Sequence, residues 1–298
     1  MTAIVDTHQH LWDLSKFSLP WTEGDELMGR SYVTSDYLDA TADASVAHAV
    51  YMEVDVSPEQ KVAEVEHIVG ICEDPNTPTI GAVVGGDPSL DGFAKYLTQI
   101  ADSPYVKGVR QVLHVPDRGK GYCLSSEFIS GVEALGAAGL SFDLCMRPSE
   151  LADGAELARR VPNTRFIVDH CGNANPYIVS GASQADDPDD PFAHTQQGWM
   201  DGISALAAQP NVIIKISGIV ARTQPGWTAA DLAPTINYCL DAFGPERAIF
   251  GGDWPVCLYG APYSQWAAAM REVISARAEE EQKKVLYDNA MAFYGLDG

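Results

Sequence analysis

The sequence is short of positive charge: 19 Lys and Arg stand against 41 Asp and Glu, for a formal net charge of −22. A field of that sign repels nucleic acid phosphates and anionic membrane surfaces, so neither is an expected partner. It also disfavours highly anionic substrates unless local Arg or Lys residues outweigh it. No apolar run approaches the roughly 18 residues that a membrane-spanning helix needs. The first residues run straight into a strand, without the basic and then apolar segments of a secretory leader. The six cysteines, Cys72, Cys123, Cys145, Cys171, Cys239 and Cys257, show no C-x-x-C spacing and read as reduced thiols rather than a disulfide frame. These absences predict a soluble cytoplasmic protein.

What is present is a chain of 298 residues, 46% hydrophobic, enough to bury one large core. Short Val- and Ile-rich segments alternate with amphipathic ones along its length. Strands are expected at Ile4 to His10, His48 to Val54, Thr79 to Val84, Val106 to His114, Leu140 to Met146, Arg165 to His170, Val212 to Ser217 and Ala248 to Gly252. Helices are expected between them. Ser57-Pro58-Glu59-Gln60 reads as a capping box ahead of a stripe of Val62, Val65, Val69 and Cys72. Phe93, Leu97 and Ile100 mark another helix, and Phe128, Val132 and Leu135 a third. Helices over Ser264 to Ala276 and Glu280 to Tyr294 close the chain. The segment from Trp12 to Asp36 reads as a structured cover, and Gly172 to Gln197 as a loop whose acidic run, Asp186 to Asp190, is solvated. No linker divides the chain, so residues 1–298 form one domain. Eight strand–helix units predict an α/β fold, a (β/α)8 TIM barrel. The competing doubly wound sheet would carry a Gly-rich phosphate turn after the first strand, where this chain has His8-Gln9-His10-Leu11-Trp12.

In a barrel the chemistry sits at the C-terminal ends of the strands. His8 and His10, two residues apart, share one face of strand 1, and can grip a metal ion or polarise a carbonyl. His170 ends strand 6 and Asp253 follows strand 8. Arg110 and His114 share a face of strand 4, as Lys215 and Ser217 do on strand 7. Each has a plainer reading: Arg110 pairs with a barrel carboxylate, His114 caps a loop, Trp12 and Trp254 pack rather than stack on a substrate ring. Lys215, set among isoleucines, is harder to explain by packing alone.

Asp6-Thr7-His8-Gln9-His10-Leu11-Trp12, Lys107-Gly108-Val109-Arg110, Asp169-His170-Cys171-Gly172, Lys215-Ile216-Ser217-Gly218 and Gly251-Gly252-Asp253-Trp254-Pro255 together resemble the amidohydrolase superfamily. The resemblance is to its branch of lactonases acting on L-fucono- and L-rhamnono-lactones and on 2-pyrone-4,6-dicarboxylate. Asn289-Ala290 with Phe293-Tyr294 resembles that branch's terminal helix. The resemblance implies a distorted TIM barrel that hydrolyses a lactone, with His8, His10, His170 and Asp253 as the core site. Arg110 and Lys215 would bind substrate, with Trp12, His114 and Trp254 beside them. Strand 5 ends Phe142-Asp143-Leu144-Cys145-Met146-Arg147, without His or Lys, which argues against a binuclear metal centre. One Zn²⁺ held by His8, His10, His170 and Asp253, or no cofactor at all, is expected. Two rival readings are a zinc-dependent decarboxylase of the same superfamily and a non-catalytic sugar-acid binding protein. A small lactone is the expected partner, and a homo-oligomer is compatible with the sequence.

Overall fold

A computed structural model describes residues 2–183 and 190–297. Eight strands hydrogen-bond in sequence order, every neighbouring pair parallel: β1 (Ile4–Gln9), β2 (Val46–Met52), β3 (Thr79–Gly85), β4 (Val106–Val112), β5 (Ser141–Cys145), β6 (Arg165–Val168), β7 (Val212–Ile216) and β8 (Ala248–Phe250). The ring closes where Gln9 bridges Trp254 in parallel and the His10 amide donates to the Trp254 carbonyl at 2.8 Å. This is the distorted (β/α)8 barrel, formed because β-branched strands buried on both faces must be covered by helices. The strands end earlier than the hydrophobic pattern suggests. His10, His114, His170 and Asp253 therefore stand in the turns just past β1, β4, β6 and β8.

Two layers of apolar side chains form. A large one lies between the strands and helices and takes in Phe93, Leu97 and Ile100 of the helix Phe93–Ile100, and Phe128, Val132 and Leu135 of the helix Ser126–Ala137. A smaller one collects Val5, Val50, Val83, Ile167 and Ile249 with Ala290, Tyr294 and Leu296 of the C-terminal segment. That segment seals the N-terminal end of the barrel. The Lys107 ammonium donates to the Gly295 carbonyl at 3.2 Å, and Asn289 donates to the carbonyls of Pro245 and Ala248 at 2.7 and 2.8 Å. The helix expected over Glu280 to Tyr294 is interrupted by a π turn at Lys284–Asp288.

Several local expectations are corrected. Ser57 makes no side-chain cap; Gln60 turns instead to the cover loop, accepting from the Ser18 amide at 2.7 Å and donating to the Lys16 carbonyl at 3.2 Å. In the helix Lys61–Cys72 the buried face is Glu64, Val65, Ile68 and Cys72, and Val62 is exposed, because the long-range bonds of Glu64 outweigh its polarity. The segment after β6 holds a short helix at Pro176–Val179 rather than only loop; the acidic run expected there lies largely outside the described residues. The cover after β1 is ordered by a Trp12–Tyr32 bridge, with amide–carbonyl bonds of 2.8 and 2.9 Å. All six cysteines are buried free thiols. Among the described residues no helix is long and apolar enough to cross a membrane.

Candidate active site

The seam between β1 and β8 is tied by Asp6. Its buried carboxylate accepts from the His8 amide at 3.0 Å, the Gly252 amide at 2.6 Å and the Tyr37 hydroxyl at 2.7 Å, while burial holds its pKa above the usual carboxylate value. Gly252 is required there, since a Cβ would meet the Tyr263 ring at 2.2 Å and the Asp6 carboxylate at 2.6 Å. The Asp253 amide then donates to the His8 carbonyl at 2.8 Å. With Asp253 held at φ 54°, its carboxylate faces both histidines: Oδ1 lies 3.4 Å from His10 Nε2 and 3.7 Å from His8 Nε2.

The end of β2 orients two more groups. His10 Nδ1 lies 3.0 Å from the Met52 carbonyl and 3.1 Å from the Glu53 carbonyl. Carbonyls only accept, so Nδ1 carries the proton and a neutral His10 leaves Nε2 bare towards Asp253. Arg110 donates from Nε to the Glu53 carboxylate at 2.7 Å and from one terminal nitrogen to the Glu53 carbonyl at 2.9 Å. Its other terminal nitrogen lies 3.3 Å from His8 Nε2. Burial alone would lower the Arg110 pKa, but Glu53 more than offsets it and the guanidinium stays charged. Burial, followed by the charge of Lys215, pushes His8 well below its ordinary value, so it is neutral.

His170 stands at the start of a left-handed turn in which His170, Cys171, Gly172 and Asn173 have φ of 55°, 52°, 68° and 56°. Such a conformation costs about 1–2 kcal/mol per non-glycine residue, and strain of this kind collects at functional sites. The turn brings His170 Nδ1 to 2.9 Å from the Ser217 hydroxyl and its ring to 4.5 Å from that of His8. Gly218 permits the approach: a Cβ there would sit 2.4 Å from His170 Nδ1.

Below these groups lies a second layer with no exposure at all. Lys215 Nζ contacts the Asp143 carboxylate at 2.7 Å, Asp169 at 3.0 Å and His8 Nδ1 at 3.3 Å. Against the opposing pull of burial, Asp143 and Asp169 raise the Lys215 pKa and keep the ammonium charged. Burial raises Asp143, with Lys215 opposing and the charge of Asp169 adding to it. Asp169 is held low because Lys215 and His170 outweigh its own burial.

A cavity of about 440 Å³ opens above the first layer. His10, Arg110, His114, His170 and Asp253 line it, and burial followed by the Arg110 charge drives His114 down to about 3. Lys215, Trp12 and Trp254 are not among its lining residues. Lys215 is consumed by two buried carboxylates. Trp12 donates to the Arg30 carbonyl at 2.7 Å and packs on Tyr32, and Trp254 packs edge-on against Tyr32 and Tyr37. Their places at the mouth are taken by Trp21, Phe192 and Tyr259, residues in loops that strand periodicity does not locate. Glu53 was also missed, although a carboxylate just past a barrel strand is the same signal that singled out Asp253. Of the loop cations, Arg222 lines the cavity over the Phe192 ring at 3.7 Å, whereas Arg147 is spent on the carbonyls of Leu113, Val115 and Arg118.

His8, His170 and Asp253 each bring a ligand atom within 4.8 Å of the others. With the bare Nε2 of His10, this set of two donor types suits one divalent ion, the ring of His10 being oriented by carbonyls as a metal-ligating imidazole is.

The profile of the amidohydrolase family matches residues 5–296. An L-fucono-1,5-lactonase of Burkholderia ambifaria is 27% identical over 304 residues, covering 100% of this chain and 97% of that one. An L-rhamnono-gamma-lactonase of Scheffersomyces stipitis is 24% identical over 345 residues, covering 98% of each. The crystal structure of an amidohydrolase from Burkholderia multivorans with bound zinc shares the fold, with a TM-score of 0.81 at 22% identity over 99% of this chain and 100% of that one. With a family profile spanning nearly its whole length, the chain belongs to the amidohydrolase family.

Proposed function

We propose that the protein hydrolyses a lactone, most suitably the lactone of a sugar acid, as its L-fucono-1,5-lactonase and L-rhamnono-gamma-lactonase relatives are named for doing. The observation that carries this reading is the pair of facing acceptors on the cavity floor, the Asp253 carboxylate and His10 Nε2, 3.4 Å apart. A water between them donates one hydrogen to each and turns an oxygen lone pair upward. Asp253 takes the proton as that water attacks the lactone carbonyl, and the carbon–oxygen double bond opens to an oxyanion. Arg110, held in place by Glu53, is the cation beside that oxygen. Collapse of the tetrahedral adduct breaks the ring carbon–oxygen bond, and protonated Asp253 returns its proton to the departing alkoxide. No covalent enzyme intermediate is needed. His8 and Lys215 act from behind, keeping the floor charged and fixed.

His8, His10, His170 and Asp253 would hold a divalent ion, which when bound supplies Lewis-acid polarisation of the carbonyl. We infer that turnover does not depend on it, because Arg110 already brings a fixed positive charge to His8 Nε2 at 3.3 Å. A panel of neutral aldonolactones and simple lactones, followed with a pH indicator before and after chelation, tests both statements. Acid release from an aldonolactone that survives chelation is expected. Stoichiometric zinc whose removal abolishes turnover would overturn the metal-independent reading, and an inert protein across the whole panel would overturn the lactonase reading.

A further inference from the structure

The acid–base groups all lie on the cavity floor, and the wall of its mouth carries a different chemistry. Among the described residues two aromatic side chains are exposed: Trp21, 43% exposed, and Tyr259, 48% exposed. Both line this one cavity, although the first follows β1 and the second follows β8. Neither is loose. The Trp21 indole donates to the Val54 carbonyl at 2.7 Å and packs edge-on against Trp12. The Tyr259 hydroxyl donates to the Asp25 carboxylate. Apolar ring faces held rigidly in water are unfavourable unless something covers them.

Asp55, next to the carbonyl that anchors Trp21, lines the same wall. Its backbone is left-handed, φ 48°, and its amide donates to the Glu53 carboxylate at 2.7 Å. Its carboxylate is half exposed, and its nearest cation, Lys61, stands 3.9 Å away. That leaves acceptor capacity on both oxygens. A planar ring face beside a half-exposed carboxylate suits a saturated ring that is apolar on its C–H face and bears adjacent hydroxyls at its edge. It does not suit a ring bearing carboxylates, which Asp55 repels.

We infer that Trp21, Asp55 and Tyr259 form a specificity subsite that reads the hydroxyl-bearing ring of a neutral sugar-acid lactone, separate from the floor that cleaves the ester. The inference rests on the lactonase reading for its reaction, but not for its binding. Trp21→Ala and Asp55→Asn are compared with the wild type on an aldono-1,5-lactone and on δ-valerolactone, which has the same ring size and no hydroxyls. In each variant the ratio of the two kcat/KM values is expected to shift against the aldonolactone by at least about tenfold, equivalent to about 1.4 kcal/mol. Trp21→Phe, which keeps a ring face, is expected to restore part of the ratio. Circular dichroism confirms that each variant is folded; the half-exposed Asp55 makes its Asn variant the safer of the two. Calorimetric titration with the matching methyl pyranoside, which has the ring hydroxyls and no ester, is the second arm. It should bind the wild type and bind each variant at least about tenfold more weakly. If no lactone is turned over, the lactonase reading fails while the pyranoside arm still tests the subsite. An unchanged ratio in folded variants overturns the inference, as does a pyranoside that the wild type ignores or the variants bind equally well.

Discussion

Two tiers of charge stand one above the other at the C-terminal end of this barrel, and they are handled in opposite ways. In the lower, Lys215, Asp143 and Asp169 have no exposure, and the ammonium lies within 3.0 Å of both carboxylates. In the upper, Arg110 is locked to Glu53, whereas Asp253 lies 3.4 and 3.7 Å from two imidazoles and opens into the cavity. A charge paired with buried opposite charge and shut off from the cavity is part of the scaffold. A carboxylate that opens into the cavity beside two imidazoles is the group proposed above as the base. The lesson is that polarity at a barrel strand end does not by itself separate these roles; the partner of each charge does.

The contrast is broken most forcefully from below. Lys215→Met leaves two carboxylates buried without their cation, and is expected to cost about 3–5 kcal/mol of folding stability, read from the midpoint of urea unfolding. A variant as stable as the wild type that has lost only turnover would move Lys215 into the upper tier.

Asp253→Asn should behave in the reverse manner. It keeps the shape and removes the basicity, so kcat on the best lactone is expected to fall at least about a hundredfold with little change in unfolding. Near-normal turnover would show that the base lies elsewhere and would undo the functional division between the tiers.

Substrate charge sharpens the picture of the cavity itself. Arg110 and Arg222 are the cations among the lining residues, Arg110 is ion-paired with Glu53, and Asp55 and Asp253 are lining carboxylates. A neutral aldonolactone should therefore be hydrolysed with a kcat/KM more than about tenfold above that for 2-pyrone-4,6-dicarboxylate, or about 1.4 kcal/mol. A preference for the dicarboxylate, measured at the same pH and low salt, would mean that the cations dominate the cavity.

Glu64 is a buried carboxylate belonging to neither tier. It accepts from the Tyr51 hydroxyl at 2.7 Å and the Val54 amide at 3.0 Å, and burial, reinforced by the charge of Glu53, pushes its pKa up to about 7 from 4.5. Because the folded value is the higher one, the stability it lends is full below the unfolded value and is lost as pH rises towards about 7. Glu64→Gln cannot titrate. Between about pH 5 and pH 7.5, wild-type stability should fall relative to that variant by about 2 kcal/mol, and parallel urea curves at the two pH values would measure it.

The sequence by itself determined the barrel, because strand and helix periodicities are local and each unit must bury one face against the next. Within the candidate site, the His8-Gln9-His10 spacing and Gly251-Gly252-Asp253, with its own backbone requirement, were also legible in the sequence. Where strands end was less legible: β6 and β8 stop at Val168 and Phe250, short of the expected ends, and His170 and Asp253 just beyond them are left-handed. Tertiary structure alone decided the partners. Lys215 meets Asp143 and Asp169, Arg110 meets Glu53, and Trp21 meets Val54 across separations of 72, 46, 57 and 33 residues. Whether a lysine at a strand end binds substrate or is spent within the core depends on those distant neighbours. Burial makes an unpaired charge too costly to leave alone, and the residue that compensates it comes from another part of the chain.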